Sequence, residues 1–122
     1  MPVTPRPALS PVPRGRLVYF IKCNGEHGPI KIGKSTQLGG RLEEFRVANP
    51  YPLNVLALVR LDQTWQMNLL EKRLQIRLAQ HRVHGEWFEP SPPVLAVVEA
   101  ANSMRMAEFC TFAGVDLFRA RR

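Results

Sequence analysis

Five successive apolar residues, Leu17-Val18-Tyr19-Phe20-Ile21, precede a glycine-bearing break and then Pro29-Ile30-Lys31-Ile32-Gly33-Lys34-Ser35. Runs this short, rich in β-branched and aromatic residues, read as strands rather than helices. Asn24-Gly25 and Gly28 supply the positive-φ positions of a hairpin turn. The spacing therefore predicts an antiparallel pair over 17–22 and 29–34. In the return strand Ile30 and Ile32 share one face and Lys31 takes the other. The first strand has no polar alternation, so both of its faces are expected to be covered.

The remaining pattern fills in around this hairpin. Leu38, Leu42 and Phe45 recur at helical spacing, which predicts a helix over 38–48 ended by Pro50 and Pro52. Leu53 to Leu61 reads as a third strand. Residues 64–80 form the clearest helical stretch, with Thr64 as its N-cap. Gly85 breaks the chain before an extended Gly85-Glu86-Trp87-Phe88 piece, whose two aromatic residues are expected to cap the core. Pro92-Pro93 launches a helix through about Met106, with Val94, Val97, Val98 and Ala101 packing inward. The order β-β-α-β-α-α gives an α+β fold: a small, mostly antiparallel three-stranded sheet flanked by helices.

Five prolines among residues 1–15 deny that segment regular pairing and mark it as a flexible, Pro-rich basic arm. The domain is expected over 16–106, followed by a basic tail over 107–122. Phe109, Phe112, Leu117 and Phe118 imply that this tail packs on the domain or on a protein partner.

The net charge is +7. Six of the 17 basic residues are Arg6, Arg14, Arg16, Arg119, Arg121 and Arg122, which leaves 11 against all 10 acidic residues between positions 17 and 116. The excess therefore sits at the two ends, where it attracts polyanions without sequence preference. No apolar run approaches the ~20 residues of a membrane span. The N-terminus has no apolar signal core, so a cytoplasmic protein is expected. Cys23 and Cys110 have no metal-ligand spacing and read as reduced buried thiols. His81 and His84 lack nearby partners for a zinc site.

Glu71 is the sharpest chemical signal. At 100° per residue it falls within the stripe of Met67, Leu70, Leu74 and Leu78. An inward carboxylate is costly unless paired, protonated or bound to a metal. No cation stands three or four positions away on its helix, so a glutamate at the stripe edge reaching solvent or a distant arginine is the plain alternative. Arg41 either pairs with Glu44 on the surface or clamps a phosphate, with Gly39-Gly40 leaving the helix start open. Tyr19 is either a core tyrosine or a base whose phenol must be lowered from about 10. Lys31 and Lys34 are expected to favour its charged form if they face the same cleft. Lys34, Arg73, Arg77, Arg82 and His84 form a candidate track for a nucleic-acid backbone, or a solvated face.

The ordered set of Tyr19, the Lys31-Ile32-Gly33 triad, Arg41, Glu71 and Gly85-Glu86-Trp87-Phe88 resembles the GIY-YIG endonuclease superfamily. The likeness is to its branch with a KIG second triad and a closing GEWF, and it covers roughly residues 17–100. It implies a hydrolase that cuts phosphodiester bonds in nucleic acid, with DNA the expected substrate. Tyr19 would activate water, Arg41 and Lys31 would act on the phosphate, and Glu71 would hold a single Mg²⁺ or Mn²⁺. The first triad lacks the family's glycine, Lys31 replaces its second tyrosine, and Gln75 stands where this branch has a histidine. The competing reading is a binding or structural module of a phage or mobile element that keeps the fold without cleavage, virion-associated if phage-encoded.

Overall fold

In the computed structural model, which describes residues 14–23, 28–49 and 51–117, the hairpin is present. Strand β1 (Arg16–Cys23) pairs antiparallel with β2 (Ile30–Ser35), from Leu17 opposite Ser35 to Lys22 opposite Ile30. The Asn24-Gly25 turn lies outside the described residues, as do the arm up to residue 13 and residues 118–122. On its other side β1 pairs antiparallel with β3 (Leu53–Leu61), with a register shift between Phe20 and Ile21.

Helix α1 (Leu38–Ala48) connects β2 to β3, and α2 (Thr64–Arg77) follows β3. Two short strands, β4 (Arg82–His84) and β5 (Trp87–Phe88), extend the sheet to the order β3-β1-β2-β5-β4, antiparallel throughout. Helices α3 (Pro92–Ser103) and α4 (Met106–Phe112) complete an α+β fold.

Strand β1 is buried on both faces because the sheet has a layer on each side. Val18 and Phe20, with Ile30, Ile32, Ala57, Val59 and Leu61, pack against Met67, Leu70 and Leu74 of α2 and against α3. Leu17, Tyr19 and Ile21 point the other way, onto Leu38, with Leu42 and Phe45 of α1 closing over them. Alternation along one strand thus feeds two apolar layers of unequal size.

Several boundaries differ from the sequence pattern for local reasons. Strands β4 and β5 have three and two residues, too few to show a period-2 signal. The N-cap of α2 is Gln63 rather than Thr64. The Gln66 side-chain carbonyl accepts from the Asp62 and Gln63 backbone N–H groups at 3.1 and 2.9 Å. Thr64 instead accepts from Arg16 Nε at 2.9 Å. Helix α2 stops at Arg77, and a 3₁₀ turn over Ala79–His81 replaces its expected last turn. Helix α3 ends at Ser103, where extended Met104 re-aims the chain into α4. Residues 107–117 pack on the domain: Phe109 and Cys110 are fully buried, and Phe109 meets Phe20 edge-to-face. Burying a side chain of Phe109's size contributes about 1.5–3 kcal/mol, enough to hold a seven-residue helix in place. Among the described residues no helix is long and apolar enough to cross a membrane.

Candidate active site at the outer edge of β2

The site lies where β2 runs out of strand partners. Strand β5 pairs only with Ile30 and Lys31. The next residue, Ile32, donates its N–H to the Glu86 backbone carbonyl at 3.0 Å. Its carbonyl accepts from Gln75 Nε2 of α2 at 2.8 Å. A turn residue and a helix side chain therefore close an edge that a sixth strand would otherwise seek. Beyond Ile32, Gly33 and Lys34 have no strand partner on that side among the described residues.

Groups from both faces of the sheet reach this edge. Tyr19 sits opposite Gly33 in the β1–β2 register, and its ring lies directly over the glycine. A Cβ on Gly33 would stand 2.5 Å from the Tyr19 hydroxyl oxygen and 2.6 Å from Cζ. Tyr19 is 1% exposed, and its ring meets Phe45 edge-to-face at 6.3 Å. Burial, then the Glu86 and Glu71 charges, push its phenol up to about 12, against a lowering by Arg41 through charge and hydrogen bonding. The expectation that Lys31 and Lys34 would lower the phenol is not met. They leave β2 on opposite faces, Lys31 toward Phe45 and Lys34 toward Asn68, and burial with the carboxylates raises the phenol.

Glu71 reaches the edge from α2 on the opposite face. It is 9% exposed, as its place in the apolar stripe implied. Its carboxyl is held above the ordinary carboxylate range by burial and then by Glu86, which also hydrogen-bonds it. Lys34 and Gln75 act in the lowering direction, and Gln75 Nε2 donates to Glu71 Oε2 at 3.3 Å. Gln75 is locked in turn by Arg82, which donates to its Oε1 at 3.1 Å. The position where the branch carries a histidine thus holds an amide that bridges Glu71 and the β2 backbone.

Glu86 joins the two faces. Its Oε1 is 3.2 Å from Lys31 Nζ. Lys31, 15% exposed, stands 5.3 Å from the ring centres of both Phe45 and Trp87, which fix the amine. The sequence pattern gave Trp87 and Phe88 the role of core caps and gave Glu86 none; Trp87 is only half-buried and lies against Lys31. Phe88 fills that role, whereas Glu86 belongs to the site. The signal available was a glutamate beside a positive-φ glycine, since Gly85 has φ +55.

Arg41 is half-exposed and touches Glu44 at 3.3 Å, the surface pair anticipated from spacing. Such exposed pairs are worth little, so the guanidinium is free to exchange partners. It borders a hollow of about 400 Å³ lined by Lys34, Ser35, Thr36 and Gly40 among others. A Cβ at Gly40 would meet nothing within 4 Å. Lys34 donates to Asn68 Oδ1 at 2.9 Å.

The proposed backbone track is not one row. Arg77 donates to the Phe112 carbonyl and stacks on the Phe112 ring at 4.2 Å, tying α4 to α2. Arg82 holds Gln75 and lies 5.7 Å from the Phe88 ring centre. Arg73 is exposed on α2 and His84 on β4. His81 Nδ1 is 3.0 Å from the Ser91 hydroxyl. Both cysteines are free and buried, and burial alone pushes the Cys110 thiol up to about 11. Among the described residues no group of three or more His, Cys, Asp or Glu side chains gathers.

The Tyr19 shift predicts an alkaline instability. A phenol raised from 10 to about 12 favours the neutral form in the fold. Its contribution is complete below pH 10 and lost as pH rises through about 12. Relative to Tyr19→Phe, the wild type should lose about 2–3 kcal/mol across that window. Urea midpoints of both proteins at pH 9 and above pH 11 check this, and a constant difference would count against it.

No curated protein and no solved structure matches the chain. The family model that matches is not that of the GIY-YIG nucleases themselves. It is the T5orf172 domain, matched over residues 16–105, from β1 through the residue before α4. The chain belongs to the T5orf172 domain family, a phage-associated family related to GIY-YIG-like nuclease folds.

Proposed function

We propose that this chain is a metal-dependent endonuclease hydrolysing phosphodiester bonds in nucleic acid, with DNA as substrate, by a GIY-YIG-type mechanism. What supports the reading is that the site residues lie around β2: Tyr19 stands opposite Gly33, Lys31 is on the strand, Arg41 borders the hollow that Lys34 lines, and Glu71 accepts from the Gln75 that also holds the Ile32 carbonyl. Membership in a phage-associated family supports a nucleic-acid-acting role in a phage or mobile-element setting.

The donor chemistry at Glu71 fits a hard divalent cation. Its carboxylate is buried, raised by its surroundings and without an ion pair among the described residues. Held there, Mg²⁺ or Mn²⁺ would supply stabilisation of charge on the leaving oxygen. Tyr19, a neutral phenol at pH 7, orients the attacking water through its hydroxyl. Arg41 exchanges its weak Glu44 contact for a bidentate grip on the phosphate. Lys31, fixed between two rings and Glu86, offsets developing negative charge without reorganising. Pocket-facing Lys34 and the open start of α1 accommodate the adjoining phosphate.

Nicking of supercoiled plasmid tests the reading. Open circles should form with Mg²⁺ or Mn²⁺ and not with EDTA. A protein that binds DNA yet leaves it intact under every metal condition supports the second reading, a non-cleaving nucleic-acid-binding module. The raised Tyr19 phenol favours that alternative, because it argues against a tyrosinate base.

The basic ends give a separate expectation. Residues 1–15 carry Arg6 and Arg14. Removing them should reduce the slope of log affinity against log salt by about 2 if both contact phosphates. An unchanged slope would exclude the arm as an electrostatic contact.

A further inference from the structure

We propose that Gln75 and Arg82 are positioning residues for Glu71: Arg82 fixes which way the Gln75 amide faces, and the amide fixes the Glu71 carboxylate. The inference rests on the nuclease reading for what Glu71 holds, and it takes Arg82 out of the candidate phosphate track.

A glutamine one helical turn past a glutamate often bonds to it, and such a pair alone contributes little. Here the amide is used on three sides. Its Nε2 donates to the Ile32 carbonyl of β2 at 2.8 Å and to Glu71 Oε2 at 3.3 Å. Its Oε1 accepts from Arg82 Nη2 at 3.1 Å. An amide has two N–H donors and one carbonyl acceptor, so this set employs every polar group it carries. Turning it over would set its oxygen against the Ile32 carbonyl and the Glu71 carboxylate, and its hydrogens against the guanidinium. One orientation satisfies all three neighbours, and in it a donor faces Glu71.

Arg82 is placed to hold that orientation. It stands on β4 opposite Phe88 of β5, with its guanidinium 5.7 Å from the centre of that buried ring. The nitrogen that reaches Oε1 also approaches the Gln75 backbone carbonyl at 3.4 Å. A hydrogen bond from a charged donor is stronger than one between neutral groups, and it polarises the amide so that its N–H groups donate better. The contacts thus run from β4 through α2 to the carboxylate, and hold the β2 backbone on the way. With Oε2 held, Glu71 presents its other oxygen to a cation without reorienting. Removing a partner of this kind behind a metal ligand costs about 10–100-fold in metal affinity or activity.

The test uses the full chain at pH 7 and a signal that does not depend on cleavage. Mn²⁺ is titrated into isotope-labelled protein, and the midpoint of paramagnetic broadening is read by NMR at the Glu71 and Ile32 backbone amides. Wild type is compared with Gln75→Met, which keeps the side-chain length without a donor, and with Arg82→Met, Arg82→Lys and the double variant Gln75→Met/Arg82→Met. Arg46→Ala removes a surface charge from α1 as the control, and circular dichroism confirms each fold. Gln75→Met should raise the midpoint about tenfold or more and Arg82→Met several-fold, with Arg82→Lys between Arg82→Met and wild type and Arg46→Ala unchanged. Because Arg82 acts through Gln75, the double variant should bind no more weakly than Gln75→Met alone. Nicking of supercoiled plasmid should fall in the same order. A wild-type midpoint in either Gln75→Met or Arg82→Met overturns the proposal. So does a double variant in which the two losses multiply, since Arg82 would then act by a separate route. Either result in a wild type that nicks DNA leaves the nuclease reading standing. No broadening of the wild type at millimolar Mn²⁺ overturns the proposal as well. Broadening that depends on both side chains, in a protein that nicks no DNA, upholds the positioning and removes the nuclease reading instead.

Discussion

Replacing Glu71 by glutamine should abolish metal-dependent nicking while the protein melts no lower than the wild type. Glutamine keeps the shape and the oxygen that accepts from Gln75, but loses the charge that would hold a cation. Stabilisation of a leaving oxygen by a metal is worth several kcal/mol, so cleavage should fall on the order of 10³-fold or more. The stability change has the opposite sign. Glu71 is raised above the ordinary carboxylate range, by burial first and Glu86 second. Its contribution is therefore complete below that ordinary range and is lost as pH rises through the folded-state value. At neutral pH, where the unfolded chain's carboxyl is ionised, the fold carries a cost that glutamine does not, so the melting temperature should hold or rise, and the advantage should shrink as pH falls into the ordinary carboxylate range. A structural glutamate paired with an arginine would behave in reverse, with activity loss tracking unfolding. Nicking rate and melting temperature measured on the same protein separate the two cases, and full activity in Glu71→Gln would rule out the mechanism.

What could be seen in the sequence followed from local pattern. The β1–β2 hairpin and β3 rest on apolar runs, α1 on three residues and the inward position of Glu71 on four residues at helical spacing, and the structure places them there. Strands β4 and β5 are too short to repeat at all, and their pairing is set by what stands beside them. The same limit hid Glu86. Its place in the site comes from the ion pair with Lys31 and from its charge, which raises both Tyr19 and Glu71, effects that no local pattern encodes. Tyr19 points from β1 to the α1 side of the sheet and Glu71 comes from α2 on the other side, yet the Glu71 charge helps to raise the Tyr19 phenol, a coupling between faces that no local pattern shows. Gln75 shows the converse. Its departure from the branch's histidine was visible in the sequence, but only the structure shows the amide bound to both Glu71 and the Ile32 carbonyl.

Gly33→Ala should be among the most damaging single-methyl changes in the domain. The backbone at Gly33 lies within a regular strand pair and has no positive φ, so conformational freedom is not what the position requires. Space is. The new Cβ would meet the Tyr19 ring at 2.5 Å from its oxygen, 2.6 Å from Cζ and 3.0 Å from Cε1. These contacts are well inside van der Waals separation, and the ring has nowhere simple to go. It is 1% exposed, packed on Phe45 and part of the layer under α1. Overpacking of this kind costs about 1–3 kcal/mol, which for a domain of this size lowers the melting temperature by roughly 5–15 °C. Shortening the neighbour should relieve it. Tyr19→Leu lacks the atoms that clash, so adding Gly33→Ala to it should cost at least about 1 kcal/mol less than in the wild type, a coupling that a double-mutant cycle reads directly. The same displacement moves the hydroxyl proposed to orient water, so nicking by the folded fraction of Gly33→Ala should fall as well. A melting temperature within about 2 °C of wild type would show that the strand edge yields, and that the glycine of this KIG triad is not there to seat the tyrosine.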